Sequence, residues 1–507
     1  MKPLCGLKTM EWMIVRKYVV ETSIGKVKGT DDEGVFVWRG IPYAKPPAGA
    51  LRFAPTQQAE AWSGIRDAVE FGPICPQQSR VRGRSSEDCL YLNIWSPAAD
   101  GQKRAVLLFI HGGSFSSGAG SERMYHGAKL SRFGDVVVVT INYRVGLLGF
   151  LDFSFLDEDF HPNCGLYDVV QALKWTKENI AQFGGDPDNI TVFGQSAGGT
   201  ITATLPTLPA AKELISKCIV MSGCPALLQD KEECVNTSRS FLECTGLHSA
   251  KKLMETPASA LVAREKEFSR RCGLGVGTFR IEIDGGFVPE FPIPAVRDGS
   301  AGKIPMLIGT TKEEMAFVLI KPVAKALDVE GIMSAGVSME SKETKDRTPK
   351  VYQQVYQNNR LWKSMMYTDM AFRIGTVWYA EQYGRYADTW MYRFDYETAA
   401  MKASGLHAFH SSDLPFVFGN FDAGMARLIM LLTPSKKRAR SVSQEIQKDI
   451  VTFARKGTLA WEKCREGHTP AKCYNKEHAI KPMIEPEIRE QYEHTNFKKV
   501  IFQNAKR

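Results

Sequence analysis

"TVFGQSAGGT", residues 191–200, runs as an apolar, β-branched strand as far as Gly194, presents one hydroxyl at Ser196, and continues through Ala197, Gly198 and Gly199. A strand that turns directly into a helix leaves its turn residue at the carboxyl edge of a parallel sheet, where ligands bind. The glycines are what such a turn requires. The serine backbone is strained, and strand and helix come so close that side chains at 194 and 198 would collide. The N–H of Ala197 would then aim at the same point as the serine oxygen and could stabilise developing negative charge. The motif is short, so the rest of the chain has to supply the sheet, a base and an acid.

The sheet is legible around it. "RAVLLFIHGG" and "DVVVVTINYR" are apolar runs of buried-strand type, "DVVQALKWTKENIAQF" has helical spacing and stops at Gly184-Gly185, and "NITVFG" is a further strand. "KIPMLIGT" and "TWMYRFDY" add two more. Strands alternating with helices specify a large, mostly parallel central sheet flanked by helices, an α/β fold in a single domain. The polar stretch "SAGVSMESKETKDRTPK" (334–350) reads as a surface loop.

Composition narrows the function. The 507 residues are 44% hydrophobic and 24% charged, as in ordinary globular proteins, and a net charge of +9 is small for this length. The basic residues form no long tract and no nucleic-acid module, so nucleic-acid binding is not indicated. No run of 18 apolar residues exists, which argues against a transmembrane segment. Charges at Lys8, Glu11, Arg16 and Lys17 break the N-terminal apolar stretch, so no signal peptide is read. The expectation is a cytoplasmic chain as written, or a secreted or endoplasmic-reticulum one if the true start lies upstream.

A serine nucleophile needs a base, and the base needs a carboxylate to orient it. "FIHGGSFSSG" (109–118) follows a strand and opens into a small-residue loop, as a segment offering main-chain amides to an oxyanion does. In this architecture the acid and then the histidine follow the serine. "LIGTTKEEMAF" places Glu313 and Glu314 just after a strand, and "GLHAFHSSDLPFVFG" offers His407 and His410. Spacing does not choose between the neighbours. His468, His478 and His494 lie in a polar tail and read as solvated.

The ordered motifs "RGIPYAKPPAGALRF", "SEDCLYLNIW", "HGGSFSSG", "NYRVGLLGFL", "NIAQFGGDPDNITVFGQSAGG", "GTTKEEM", "HSSDLPFVFG" and "GTLAW" resemble those of type-B carboxylesterases, the group that includes cholinesterases, on the α/β-hydrolase fold. The resemblance spans residues 18–500, leaving 1–17 as a short extension. It implies Ser196 as nucleophile, Glu314 as acid and His410 as base, with an oxyanion hole from the amides of Gly113, Ser114 and Ala197. It also implies structural ion pairs Arg52–Glu87 and Arg144–Asp168, a disulfide between Cys75 and Cys89, and no cofactor or metal.

The departures from the family pattern carry expectations of their own. Ser114 replaces a glycine of the oxyanion loop, Gln195 stands where cholinesterases have glutamate, and Asp413 stands where glutamate is usual. Cys224 matches the position of a buried serine that supports the triad. The loop "PQQSRVRGRSSED" between Cys75 and Cys89 has no aromatic residue and carries Arg80, Arg82 and Arg84, which disfavours a cationic substrate. The expected function is therefore hydrolysis of uncharged carboxylic esters, with small-molecule esters as partners and the oligomeric state open. The rival is a catalytically silent relative acting as an interaction or adhesion protein; the complete set of three catalytic residues speaks against it.

Overall fold

Val106, Leu108 and Ile110 pack into one apolar layer while Ala105, Leu107 and Phe109 pack into another. Successive side chains of a strand point to opposite faces, so a run apolar at every position belongs to a strand covered on both sides, as in a parallel sheet flanked by helices. Cys218 and Val220 against Ile219 and Met221 repeat the pattern.

The computed structural model describes residues 18–79, 81–226, 228–271, 277–320, 341–431, 436–493 and 495. The extension 1–17, Arg80 and His494 lie outside these. The main sheet is built from β1 (Thr30–Asp32), β2 (Val35–Pro42), β3 (Tyr91–Ser96), β4 (Arg104–Ile110), β5 (Val137–Ile141), β6 (Gly185–Gln195), β7 (Lys217–Met221), β8 (Met306–Thr311), β9 (Thr389–Phe394), β10 (Pro470–Tyr474) and β11 (Ala479–Pro482). Their order is β11-β10-β9-β8-β7-β6-β4-β5-β3-β2-β1. Every pairing from β5 to β10 across the centre is parallel, and the outer pairings β1/β2, β2/β3, β3/β5 and β10/β11 are antiparallel. All five strands expected from the sequence are present. The fold is that of an α/β hydrolase in one domain.

Helices that bear on the site are α1 (Cys164–Asn179), α2 (Ala197–Thr204), α3 (Lys342–Val355), α4 (Asn359–Thr368), α5 (Ile374–Tyr383), α6 (Ala399–Ala403) and α7 (Lys436–Lys456). Helix α7 covers one face through Val442, Ile446, Ile450 and Phe453, and α2 enters the opposite layer with Ile201 and Ala203. The stretch 334–350 departs from the loop expected there. Its described part, from residue 341, is the start of α3, whose first turn is capped by the Ser341 side chain accepting from the N–H of Thr344. Only Thr348 and Tyr352 of that helix are buried, and Pro349 lies inside it, so the apolar stripe that signals a helix is nearly absent.

Two buried ion pairs hold the loops beneath the site. Arg144 and Asp168 are 1% and 0% exposed, bonded through Nε and Nη2 at 2.9 Å, and the Arg144 amide also donates to the carboxylate at 2.8 Å. Arg52 grips Glu87 with Nε at 2.6 Å and Nη2 at 2.9 Å, and its remaining nitrogen donates to the carbonyls of Leu253, Met254 and Thr256. Both expected pairs are formed.

The expected Cys75–Cys89 bridge is not formed. The two are buried free thiols in contact. The hydrogen bond between them, with burial, pushes Cys89 well above the ordinary thiol range, and the Val145 N–H donates to Cys75 Sγ at 3.4 Å.

Candidate active site

Ser196 follows the last residue of β6 and precedes the first of α2, with φ +59° and ψ −124°, a conformation that non-glycine residues adopt only under constraint. The constraint is visible. A Cβ on Gly194 would lie 2.2 Å from the Gly198 carbonyl oxygen, and one on Gly198 would lie 2.1 Å from that of Ile110, so strand and helix cross at a distance only glycine permits. Ser196 N–H donates to Met221 O at 2.9 Å, fixing the turn against β7.

Strands β7 and β8 bring the next residues to the same edge. Glu314, fully buried in the turn after β8, accepts the Nδ1–H of His410 on Oε2 at 2.6 Å. Its Oε1 accepts both Ser222 Oγ–H and the amide of Thr311, each at 2.6 Å. The carboxylate is thus fully hydrogen-bonded, which a buried charge requires. His410 donates its own amide to the Glu314 carbonyl at 3.1 Å. With Nδ1–H committed, Nε2 carries the lone pair and points to the β6 edge, 3.2 Å from the amide nitrogen of Gln195. The structure thus joins Glu314 to His410 and leaves Glu313 and His407 to a separate contact.

The glycine-containing loop after β4 lies against the serine. Gly112 sits where a Cβ would be 2.9 Å from the Ser196 Cβ. Gly113 has φ +120° and Ser114 φ +55°, and the carbonyl of Gly113 receives the amides of Ser116 and Ser117 at 3.0 Å. Ala197, at the first position of α2, has an N–H that the helix leaves unpaired. His111 at the start of the loop is no competing base. Burial pushes it down to about 4, its Nδ1 pairs with the Gly112 carbonyl at 2.8 Å, and it stacks on Tyr143.

Three residues of the site were not read from the sequence. Ser222 donates its Oγ–H to Glu314 Oε1, and Cys224 donates its amide to Thr200 Oγ1 at 3.0 Å. A signal existed: Met221 pairs with Gln195 across β7 and β6, so the residue after each strand reaches the same edge. Phe372 stacks on the His410 ring at 4.8 Å between centroids. It belongs to a π-helical turn, Asp369–Arg373, between α4 and α5, a local widening typical of functional positions. Arg373 of the same turn is buried and donates to the carbonyls of Thr311 and Lys312 at 3.0 and 2.6 Å, holding the loop that carries Glu314.

Asp413, three residues after His410, is buried. Burial, with the charge of Glu314 adding to it, pushes its carboxyl up to about 7, and Tyr392 OH donates to it at 3.3 Å.

Residues 16–501 match the model of the carboxylesterase family. The chain is 39% identical over 455 residues to the para-nitrobenzyl esterase of Bacillus subtilis, covering 88% of this chain and 91% of that protein. It is 30% identical to a human cocaine esterase over 86% of this chain and 81% of the relative. Among solved structures, a carboxylesterase of Geobacillus stearothermophilus superposes with a TM-score of 0.83 at 36% identity, over 94% of this chain and all of that one. A strand-to-helix serine turn in a matching fold, shared at these identities over nearly the whole chain with esterases, makes this protein a carboxylic ester hydrolase belonging to the carboxylesterase family.

Proposed function

We propose that the protein cleaves uncharged carboxylic esters through an acyl-enzyme, with Ser196 as nucleophile, His410 as base and Glu314 as the acid that orients it. The observation that carries this reading is the 2.6 Å bond between His410 Nδ1 and a fully buried Glu314, set opposite the strained turn at Ser196. In it, His410 Nε2 takes the Ser196 proton as Oγ attacks the carbonyl carbon. The oxyanion is received by the amides of Gly113, Ser114 and Ala197. Collapse expels the alcohol, which leaves with the proton from the imidazolium. Water then adds to the acyl-serine by the same route in reverse, releasing the carboxylic acid.

Neutrality of the substrate follows from the surroundings. Gln195 brings an uncharged amide to the site, and Arg82 and Arg84 are exposed on a loop without aromatic rings. A quaternary ammonium would lose its water beside the neutral Gln195 amide, and the loop between Cys75 and Cys89 has no aromatic ring to replace it. A missing cation–π contact of about 1–2 kcal/mol corresponds to roughly tenfold in affinity. Two assays test the proposal. 3,3-Dimethylbutyl acetate should have a kcat/KM roughly tenfold or more above that of its choline isostere, and preference for the cation would overturn the neutral-substrate reading. With added methanol, acetates of different alcohols should yield one common ratio of methyl acetate to acetic acid. A ratio that varies with the leaving group would exclude a shared acyl-enzyme.

A further inference from the structure

The acid loop and the base loop meet at Glu314–His410 and, at longer range, at Glu313–His407. Beside Glu314–His410, His407 Nδ1 lies 3.2 Å from Glu397 Oε2 and 3.9 Å from Glu313 Oε1. Glu313, with a side chain 1% exposed, gives both oxygens to Arg360 of α4, at 2.6 and 3.2 Å. Lys402 of α6 stands 3.9 Å from Glu397. The amide of Glu313 donates to the Ala408 carbonyl at 2.9 Å, alongside the bond from His410 N–H to Glu314 O. One ligand atom each from Glu313, Glu397 and His407 come within 4.8 Å of one another. Because Arg360 already engages both Glu313 oxygens, the group is an ion-pair network and not a cation site.

The backbone explains why such a network is needed. His407 has φ +51° and Ser411 φ +68°, so His410 sits between two non-glycine residues in the left-handed region. Conformations of this kind persist only where their surroundings hold them, and a small displacement of a catalytic base is costly in rate. We infer that His407, held between Glu397 and the Arg360-bound Glu313, is a positioning residue that clasps the base loop onto the acid loop and fixes His410 relative to Ser196. This rests on the triad proposed above.

The test uses substitutions that tolerate the left-handed backbone. His407→Gly removes the side chain, and His407→Asn keeps an N–H close to the position of Nδ1. Rates are taken per Ser196 titrated with a fluorophosphonate, so misfolded protein does not count. His407→Gly should lower kcat about tenfold with KM changed less than about threefold, and His407→Asn should restore kcat to within about threefold of wild type. Glu397→Ala, which leaves the His407 backbone alone, should lower kcat in the same direction. An unchanged kcat per titrated site in His407→Gly and Glu397→Ala would overturn the clasp, as would equal losses in His407→Gly and His407→Asn. If Ser196→Ala titrates like wild type, the triad reading fails instead.

Discussion

The side-chain amide nitrogen of Gln195 lies 3.2 Å from His410 Nε2, the atom proposed to take the serine proton. A neutral amide there adds no charge beside the imidazole. Gln195→Glu would place a carboxylate at the same contact and stabilise the imidazolium, which favours the charged form by about one unit or more. The acid limb of kcat/KM should therefore move to higher pH by about one unit, while the plateau changes little. An acid limb that does not move would mean that the contact is absent in the working enzyme.

The hydroxyl on Glu314 Oε1 is that of Ser222, two residues before the Cys224 that the family resemblance pointed to. Ser222→Ala removes one of the two donors to Oε1 of a buried carboxylate, a loss of about 1.5–3 kcal/mol where a charged acceptor is involved. We expect kcat to fall roughly tenfold or more with KM nearly unchanged. Cys224→Ser should stay within about twofold of wild type, since Ser222 and the Thr311 amide already supply Glu314 Oε1. A larger loss from Cys224→Ser than from Ser222→Ala in steady-state assays would reverse the assignment.

Asp413 gives the folded state a definite response to pH. An unfolded aspartate ionises near 4, whereas here burial and the Glu314 charge hold the carboxyl at about 7. The folded protein binds this proton more tightly than the unfolded one. Its contribution to stability is therefore fully present below about pH 4, declines as the pH rises towards 7, and is flat above. Asp413→Asn removes that decline, so its melting temperature relative to wild type should rise between pH 5 and pH 8. Parallel curves for the two proteins would show that Asp413 does not titrate in this way.

How much of this was legible in the sequence follows from the range of the interactions concerned. The strands were visible because residues such as 105–110 and 136–139 are apolar throughout, and the serine turn because its glycines are demanded by contacts within a few residues of Ser196. Residue chemistry alone left Glu313 against Glu314 and His407 against His410 open, and the family resemblance chose the pair that the structure joins at 2.6 Å. Ser222 was misplaced by two residues because its role depends on strand register, not on local chemistry. Phe372 and Arg373 were invisible because a π-helical turn brings residues some sixty positions away in the chain from Glu314 to the site. Helix α3 was missed because so little of it is buried.

The account stands on Ser196 as the residue that carries the acyl group, and one measurement reaches it directly. The protein is treated with a fluorophosphonate, digested, and the modified peptide identified by mass. The account predicts one equivalent of phosphonate on Ser196, loss of ester hydrolysis in step with labelling, and neither labelling nor hydrolysis in Ser196→Ala, where activity should fall by roughly three to six orders of magnitude. Phosphonate on another residue, or a Ser196→Ala protein that still turns over ester at a rate near wild type, would contradict it.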